Sequence, residues 1–351
     1  MSHLLPEWHP QWGVLLAWPH AGTDWAHILD DAEATYRYIA EAVLAREHLL
    51  VLCRDAAHGE HIRQLLDAAG ARTDRLHLQP LPYNDTWARD FGPIAITDDG
   101  KLQLLDFSFN GWGGKFAADD DNAVSSRIDW AVPLVADPLV LEGGSIDTDG
   151  AGRLLTTRHC LLNPNRNPSK SQEDIEAHLR QRLGVREFLW LTQGHLEGDD
   201  TDAHVDTLAR FCGPHTIAYV QCNDPDDSHF TALQAMQAEL QTIARTHRID
   251  LVPLPMAPAQ HDRHGHRLPA TYANFLIING AVLVPTYASD TDALALERLR
   301  GAFPEHEVIG IDCRSLIIQH GSLHCVTMQL PEGTFSATGE VNANTNARGA
   351  R

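Results

Sequence analysis

HVDTLARFCGPHTIAYV, residues 204–220, sets two reactive side chains, His204 and Asp206, in front of a strand-like run, a turn at Gly213 and Pro214, and a second strand-like run. Apolar and β-branched runs on either side of such a turn read as a hairpin. The same order recurs outward from this stretch. DFGPIAITDDGKLQLLDF (90–107) begins at Asp90, EGGSIDTDGAGRLLTT (142–157) at Glu142, and CVTMQLP (325–331) at Cys325, directly behind His324. A further copy, NFLIINGAVLVPTY (274–287), begins at Asn274 and carries no obvious catalytic group. A recurrence at roughly 50 to 70 residues suggests a closed array of supersecondary units that bury each other's apolar faces. If equivalent strand ends face one axis, an acid pair, a histidine and a cysteine meet there.

Between the hairpins lie segments with apolar residues spaced at three and four, which predict helices over 30–46, 61–70, 169–183, 229–246 and 289–303. Ser169, with Glu173 behind it, is the expected cap of the third, and Ser289 and Asp290 precede the last. Strands with one helix per unit give an α/β class. No Gly/Ser linker divides the chain, so residues 1–335 are expected to form a single catalytic domain. The small, polar, aperiodic residues 336–351 are expected to form a mobile tail. AQHDRHGHRLPA (259–270) reads as a surface loop whose three histidines lack metal-ligand spacing.

The 351 residues are 43% hydrophobic and 21% charged, with a formal net charge of −20. That charge repels nucleic acid and anionic membrane surfaces, so neither is an expected partner. It suits a cationic substrate, although solubility alone accounts for it equally well. No apolar run approaches the ~20 residues of a membrane span. The start, MSHLLPEWHPQWG, lacks a secretory signal, and a cytoplasmic location is expected. Six cysteines, at 53, 160, 212, 222, 313 and 325, show no CxxC pair or disulfide framework. Cys53 and Cys160 sit in apolar runs and read as inert core residues, whereas Cys325 follows a glycine, polar residues and a histidine.

Two residues apart on a strand, His204 and Asp206 point to one face, and Asp202 shares it. Such a face belongs in a wet cleft or a polar site, since burying it in an apolar core is costly. NDTWARDFGP (84–93) sets Asp85 and Asp90 beside Trp87, a good receptor for a planar cation; an Arg89–Asp pair closing a turn is the structural alternative. Glu142 beside two glycines is a carboxylate where the backbone must make room. A guanidinium fits this set: carboxylates hold its N–H rim, a thiolate attacks perpendicular to its plane, and a histidine carries the proton. Zinc would need clustered ligands, and one candidate ligand per repeat does not supply them.

At these residues the chain resembles the agmatine deiminase and bacterial-type peptidylarginine deiminase family of the guanidine-modifying (pentein) superfamily. The matching pieces are NDTWARDFGP, FNGWGGKF (109–116), EGGSIDTDGAGRLLTT with CLLNPNRNPS (160–169), DDTDAHVDTLARF (199–211), YANFLIINGAVLVPTY (272–287) and HCVTMQLP. They run in the family's order over about residues 6–331. The resemblance implies a five-bladed, pseudosymmetric α/β propeller with the active site on its axis, and neither a metal nor another cofactor. It implies that Cys325 is the nucleophile and His204 the acid and base. Asp90 and Asp206 would clamp the guanidinium, Glu142 would orient or assist, and Trp87 would lie along the substrate.

Some positions depart from the family pattern. Gln319 and His320 stand where glycines are usual and Ser322 where asparagine is. Ala203 stands where glycine commonly precedes the histidine, and Asp147 where a histidine often follows the EGG motif. The expected reaction is hydrolysis of agmatine to N-carbamoylputrescine and ammonia. The alternatives are deimination of free or peptidyl arginine, amidino transfer, and guanidine binding without turnover. A homodimer is the expected assembly.

Overall fold

The predicted hairpins form as antiparallel strand pairs. In the third unit, Ala209–Gly213 pairs with Thr216–Gln221, with a register shift near Gly213. Each second strand then pairs in parallel with a third strand, and in most units a helix makes the crossover that parallel strands require. Thr216–Gln221 reaches Asp250–Pro255 through helix Phe230–His247. Ala281–Thr286 reaches Glu307–Asp312 through helix Asp292–Ala302, and Arg153–Thr157 reaches Glu187–Leu191 through helix Gln172–Leu183. In the unit of Asp90 the crossover from Lys101–Ser108 to Leu134–Val140 carries only short helical turns. The computed structural model describes residues 2–336, so the expected tail lies outside the described residues except for Ser336.

The unit that begins at Cys325 is completed from the other end of the chain. Strand Thr327–Pro331 runs antiparallel to Gln11–Ala17, with Thr327 opposite Leu16 and Met328 opposite Leu15. Gln11–Ala17 then pairs in parallel with His48–Cys53, and that strand with Leu76–Pro80. The described residues thus hold five mixed sheets of three or four strands, and one short ribbon. Gln11–Ala17 is buried along its whole length, because helix Leu29–Leu44 covers its sheet with Tyr36, Ile39, Ala40 and Val43. A strand covered on both faces reads as a continuous apolar run, as VLLA does here.

Three local expectations change. The helix predicted over 169–183 begins at Gln172, because Lys170 N–H closes a turn onto Asn167 O; Ser171 is the cap, and Asp174 rather than Glu173 completes the capping box. The segment 259–270 is a small ribbon, Gln260–His261 against Arg267–Leu268, because Asp262 gathers the N–H groups of His264 and His266 into a tight turn. No side chain caps the last helix; Asp292 in its first turn instead accepts from Ser289 N and Tyr287 N. Among the described residues no helix is long and apolar enough to cross a membrane.

Leu15 is fully buried on the strand that joins the two chain ends. Leu15→Ala should lower unfolding free energy by about 2–5 kcal/mol, read as a fall in denaturant midpoint at unchanged slope.

Candidate active site

Each candidate side chain is presented by the short turn just before the first strand of its sheet. Asp90 lies in the helical turn Ala88–Phe91, and Glu142 directly precedes the 3-10 turn Gly143–Ser145. His204 directly precedes the 3-10 turn Val205–Thr207, with Asp206 inside it. Cys325 lies in the turn before Thr327–Pro331, and Asn274 before Leu276–Ile278. The strand expected for His204 and Asp206 is therefore a tight helical turn, which their spacing of two could not distinguish. Both side chains are almost wholly buried, in a polar site rather than a wet cleft. Asp202 leaves their company and pairs with Arg166 and with Lys115 at 3.0 Å.

The tertiary fold brings four of the six candidates, Cys325, His204, Asp90 and Asp206, to one point, and a fifth, Trp87, lines the cleft above them. Cys325 Sγ is 4.0 Å from Asp206 Oδ2. His204 Nδ1 is 3.7 Å from Asp90 Oδ1, which also accepts Gly144 N at 3.0 Å. Trp112 Nε1 donates to the other Asp90 oxygen at 2.9 Å. A Cβ on Gly144 would stand 2.6 Å from His204 Nδ1, 2.9 Å from Asp90 Oδ1 and 3.1 Å from Asp206 Oδ2, so glycine there leaves the space in which the three groups converge. Among the described residues neither Asp206 Oδ1 nor His204 Nε2 has a hydrogen-bond partner, though both atoms are buried. The sixth, Glu142, lies behind the histidine with Cys160 and is held by Arg166 Nε at 2.9 Å.

Burial would push the His204 pKa down, but Asp90, Cys160 and Glu142 around the ring push it well above the usual value. Cys325 is raised well above an ordinary thiol by burial and by the charges of Asp206 and Asp90. Burial raises Asp90, partly offset by His204. Burial would raise Asp206 as well, yet the hydrogen bond and charge of His324 bring it below the usual carboxylate range. The site is thus a proton-bearing imidazole and a protonated thiol beside carboxylates, a charge pattern that a bound cation completes.

A supporting layer lies underneath, and most of it escaped sequence reasoning. Asn274 Oδ1 accepts from His324 N (2.9 Å) and Cys325 N (3.3 Å) and stands 3.4 Å from Cys325 Sγ, while its Nδ2 donates to Asp206 O. The copy expected to carry no reactive group therefore positions Cys325; its place in the repeat was the available signal. His324 donates to Asp206 and to Glu7, both at 2.7 Å. Glu7 also takes Arg210 at 2.8 Å and faces Arg89 at 3.5 Å, so Arg89 does not close its own turn with an aspartate. Asp147 turns away from the cleft onto Arg210 at 3.0 Å. Cys160, expected to be inert core, borders His204.

A cleft of about 220 Å³ opens over Cys325 and Asp90, lined by Trp87, Trp112, Phe116, Asp24, Asp85 and Asp200 among others, with no arginine or lysine among its described lining residues. Trp87 extends along it, its Nε1 donating to Asp85 at 3.1 Å. Burial lifts Asp85 to about 6. Gln319 and His320 line the cleft, whereas Ser322 is buried against Tyr287 OH and takes no part in it. Ala203 holds φ +64°, the left-handed region where glycine is unstrained.

Among the described residues the donor atoms close enough to hold a metal belong to Glu142, Cys160 and His204, within 4.8 Å of one another. The Arg166 guanidinium on Glu142 opposes a divalent ion there.

Two outcomes follow from this geometry. Alkylation of Cys325 by iodoacetamide in the free protein should accelerate with pH without a plateau below pH 9, read by peptide mass spectrometry, because the reacting thiolate forms only above the raised pKa. Asn274→Ala, which strips the acceptor from the Cys325 turn, should lower kcat on a guanidine substrate by about a hundredfold with a smaller change in KM.

The chain has close counterparts. The family described as Porphyromonas-type peptidyl-arginine deiminase matches residues 3–331. A protein of Marinomonas sp. (strain MWYL1), provisionally named agmatine deiminase, is 34% identical over 355 residues, 93% of each chain. A Porphyromonas gingivalis structure provisionally named arginine deiminase aligns with a TM-score of 0.90 at 50% identity, covering 96% of this chain and 100% of that one. A Cys-to-Ser variant of C. jejuni agmatine deiminase with substrate bound aligns with a TM-score of 0.89 at 37% identity, covering 95% and 97%. With four of its candidates converging as described and this match over nearly its whole length, the chain belongs to the Porphyromonas-type peptidyl-arginine deiminase family.

Proposed function

We propose that the protein hydrolyses a guanidino group, with agmatine as substrate and N-carbamoylputrescine and ammonia as products. The observation that carries this reading is the convergence of Cys325, Asp90, Asp206 and His204 beneath an acidic cleft. Asp206 Oδ1, buried without a partner among the described residues, is an acceptor suited to a guanidinium N–H. Arrival of the cation offsets the carboxylate charges that hold the Cys325 proton, so the thiol releases that proton to solvent water where its target is bound, and regains one when the ureido product leaves. The thiolate bonds to the guanidinium carbon. The C–N bond then breaks, and His204, held protonated by its acidic neighbours, supplies the proton with which ammonia leaves. His204 next takes a proton from water, whose oxygen attacks the thiouronium carbon; the S–C bond breaks and the ureido product departs. Glu142 orients His204 from behind, and Trp87 covers the substrate tail.

The five mixed sheets read as blades of one five-bladed α/β propeller over residues 1–335, each turn before a first strand facing its axis. Pairing of Thr327–Pro331 with Gln11–Ala17 supports a closed ring. For the substrate, the absence of arginine and lysine among the described cleft residues favours an ammonium tail over a carboxylate. The 50% identity to the provisionally named arginine deiminase keeps free arginine as the second reading.

Assays of ammonia and ureido release with agmatine, arginine and a peptidylarginine separate these readings. Agmatine should be turned over, Cys325→Ala should abolish release, and a chelator should leave the rate unchanged. No release from any guanidine sinks the deiminase reading, product formed only with an added amine favours amidino transfer, and loss on chelation brings the Glu142–Cys160–His204 cluster back as a metal site.

A further inference from the structure

The loop before the nucleophile crosses the mouth of the cleft and is fastened at both sides. Gln319 Nε2 donates to Asp24 O at 2.9 Å on one wall. His320 Nδ1 donates to Gly198 O at 2.8 Å on the other, beside Asp200 and Thr201. Between the walls Gly321 lies flat on the indole of Trp87, where a Cβ would come within 2.1 Å of a ring carbon. His320 makes its bond from φ +68°, a backbone region that side chains other than glycine adopt at a cost. Glycine would hold that backbone without strain, so the strain is borne for the ring.

Resting on the deiminase reading, we propose that His320 is a specificity-determining residue that ties the nucleophile loop to the 198–201 wall and admits only guanidines with a slim, unbranched tail. An arginine within a peptide branches at its α-carbon into two amide arms and needs an opening on both sides of the tail. The strap leaves no such opening while the Gln319 and His320 bonds are made. A single-file tail such as that of agmatine passes beneath them, along Trp87 and toward Asp85 and Asp200. His320 touches none of the reacting groups, so its effect falls on selection rather than on chemistry.

The test compares agmatine with Nα-benzoyl-arginine amide for the wild-type protein, His320→Gly and His320→Asn, Asn being the side chain that best tolerates a positive φ. Wild type should favour agmatine in kcat/KM by a hundredfold or more. His320→Gly should narrow that ratio at least tenfold, raise KM for agmatine, leave kcat within about twofold and keep the melting temperature within a few degrees. His320→Asn should fall between the two. A merely structural latch predicts instead a lowered melting temperature with an unchanged ratio, and that result overturns the proposal. So does a wild-type protein that accepts the blocked arginine amide as readily as agmatine, which leaves the deiminase reading standing. Absence of turnover with every guanidine defeats both.

Discussion

His324 stands between two carboxylates, 2.7 Å from Asp206 on one ring nitrogen and 2.7 Å from Glu7 on the other. Carboxylate oxygens only accept, so both nitrogens donate and the ring is held in one orientation. Through it the N-terminal segment, the turn of the third unit and the turn of Cys325 share one buried contact. Arg210 and Arg89 close on Glu7 from the far side, and Arg210 reaches Phe275 O and Asp147. A buried charge network of this kind adds little net stability over an apolar equivalent, but loss of any member leaves an uncompensated charge. Its contribution is geometric: it sets where Asp206, Asn274 and Cys325 stand relative to one another.

The upper layer of the site is arranged the other way. There one acid oxygen is left open: Asp206 Oδ1 has no hydrogen-bond partner among the described residues, while Asp90, which accepts from Gly144 N–H and Trp112 Nε1–H, is raised by its own burial. Two layers of opposite logic, one saturated with cations and one awaiting a cation, lie on either side of the same aspartate. The saturated layer holds Asp206 below the usual carboxylate range and aims it, and the open layer makes a guanidinium the group that fits. Glycines at 143 and 144 let the layers approach, since a Cβ at 143 would stand 2.2 Å from Arg89 O.

The hairpins were legible because alternating and continuous apolar runs around Gly and Asp turns have few other solutions. Helices were legible from their spacing, and their boundaries failed where a local hydrogen bond intervened, as at Lys170 and Asn167. Asp90, Glu142, His204, Asp206, Cys325 and Trp87 could be nominated because each stands at the same place in its unit or beside one that does. Glu7 could not: it precedes its strand, belongs to no repeat, and meets His324 only after the ends of the chain pair. Cys160 failed for a related reason, since an apolar run says that a thiol is buried and not which side chain it is buried against.

By itself the sequence determined the list of parts: an α/β order of elements, repeated turns loaded with unlike reactive groups, and a chemistry of carboxylates, imidazole and thiol suited to a flat cation. Local pattern suffices for these, because hydrophobic period and turn residues act over a few residues. Tertiary structure alone decided which groups touch. It buried His204 and Asp206 on a tight turn, drew Asn274 under the thiol and sent Asp147 to Arg210 and Asp202 to Arg166. It also drew the strained His320 across the cleft mouth. Those pairings join residues far apart in the chain, and they depend on the closure of Thr327–Pro331 onto Gln11–Ala17, which no local pattern encodes.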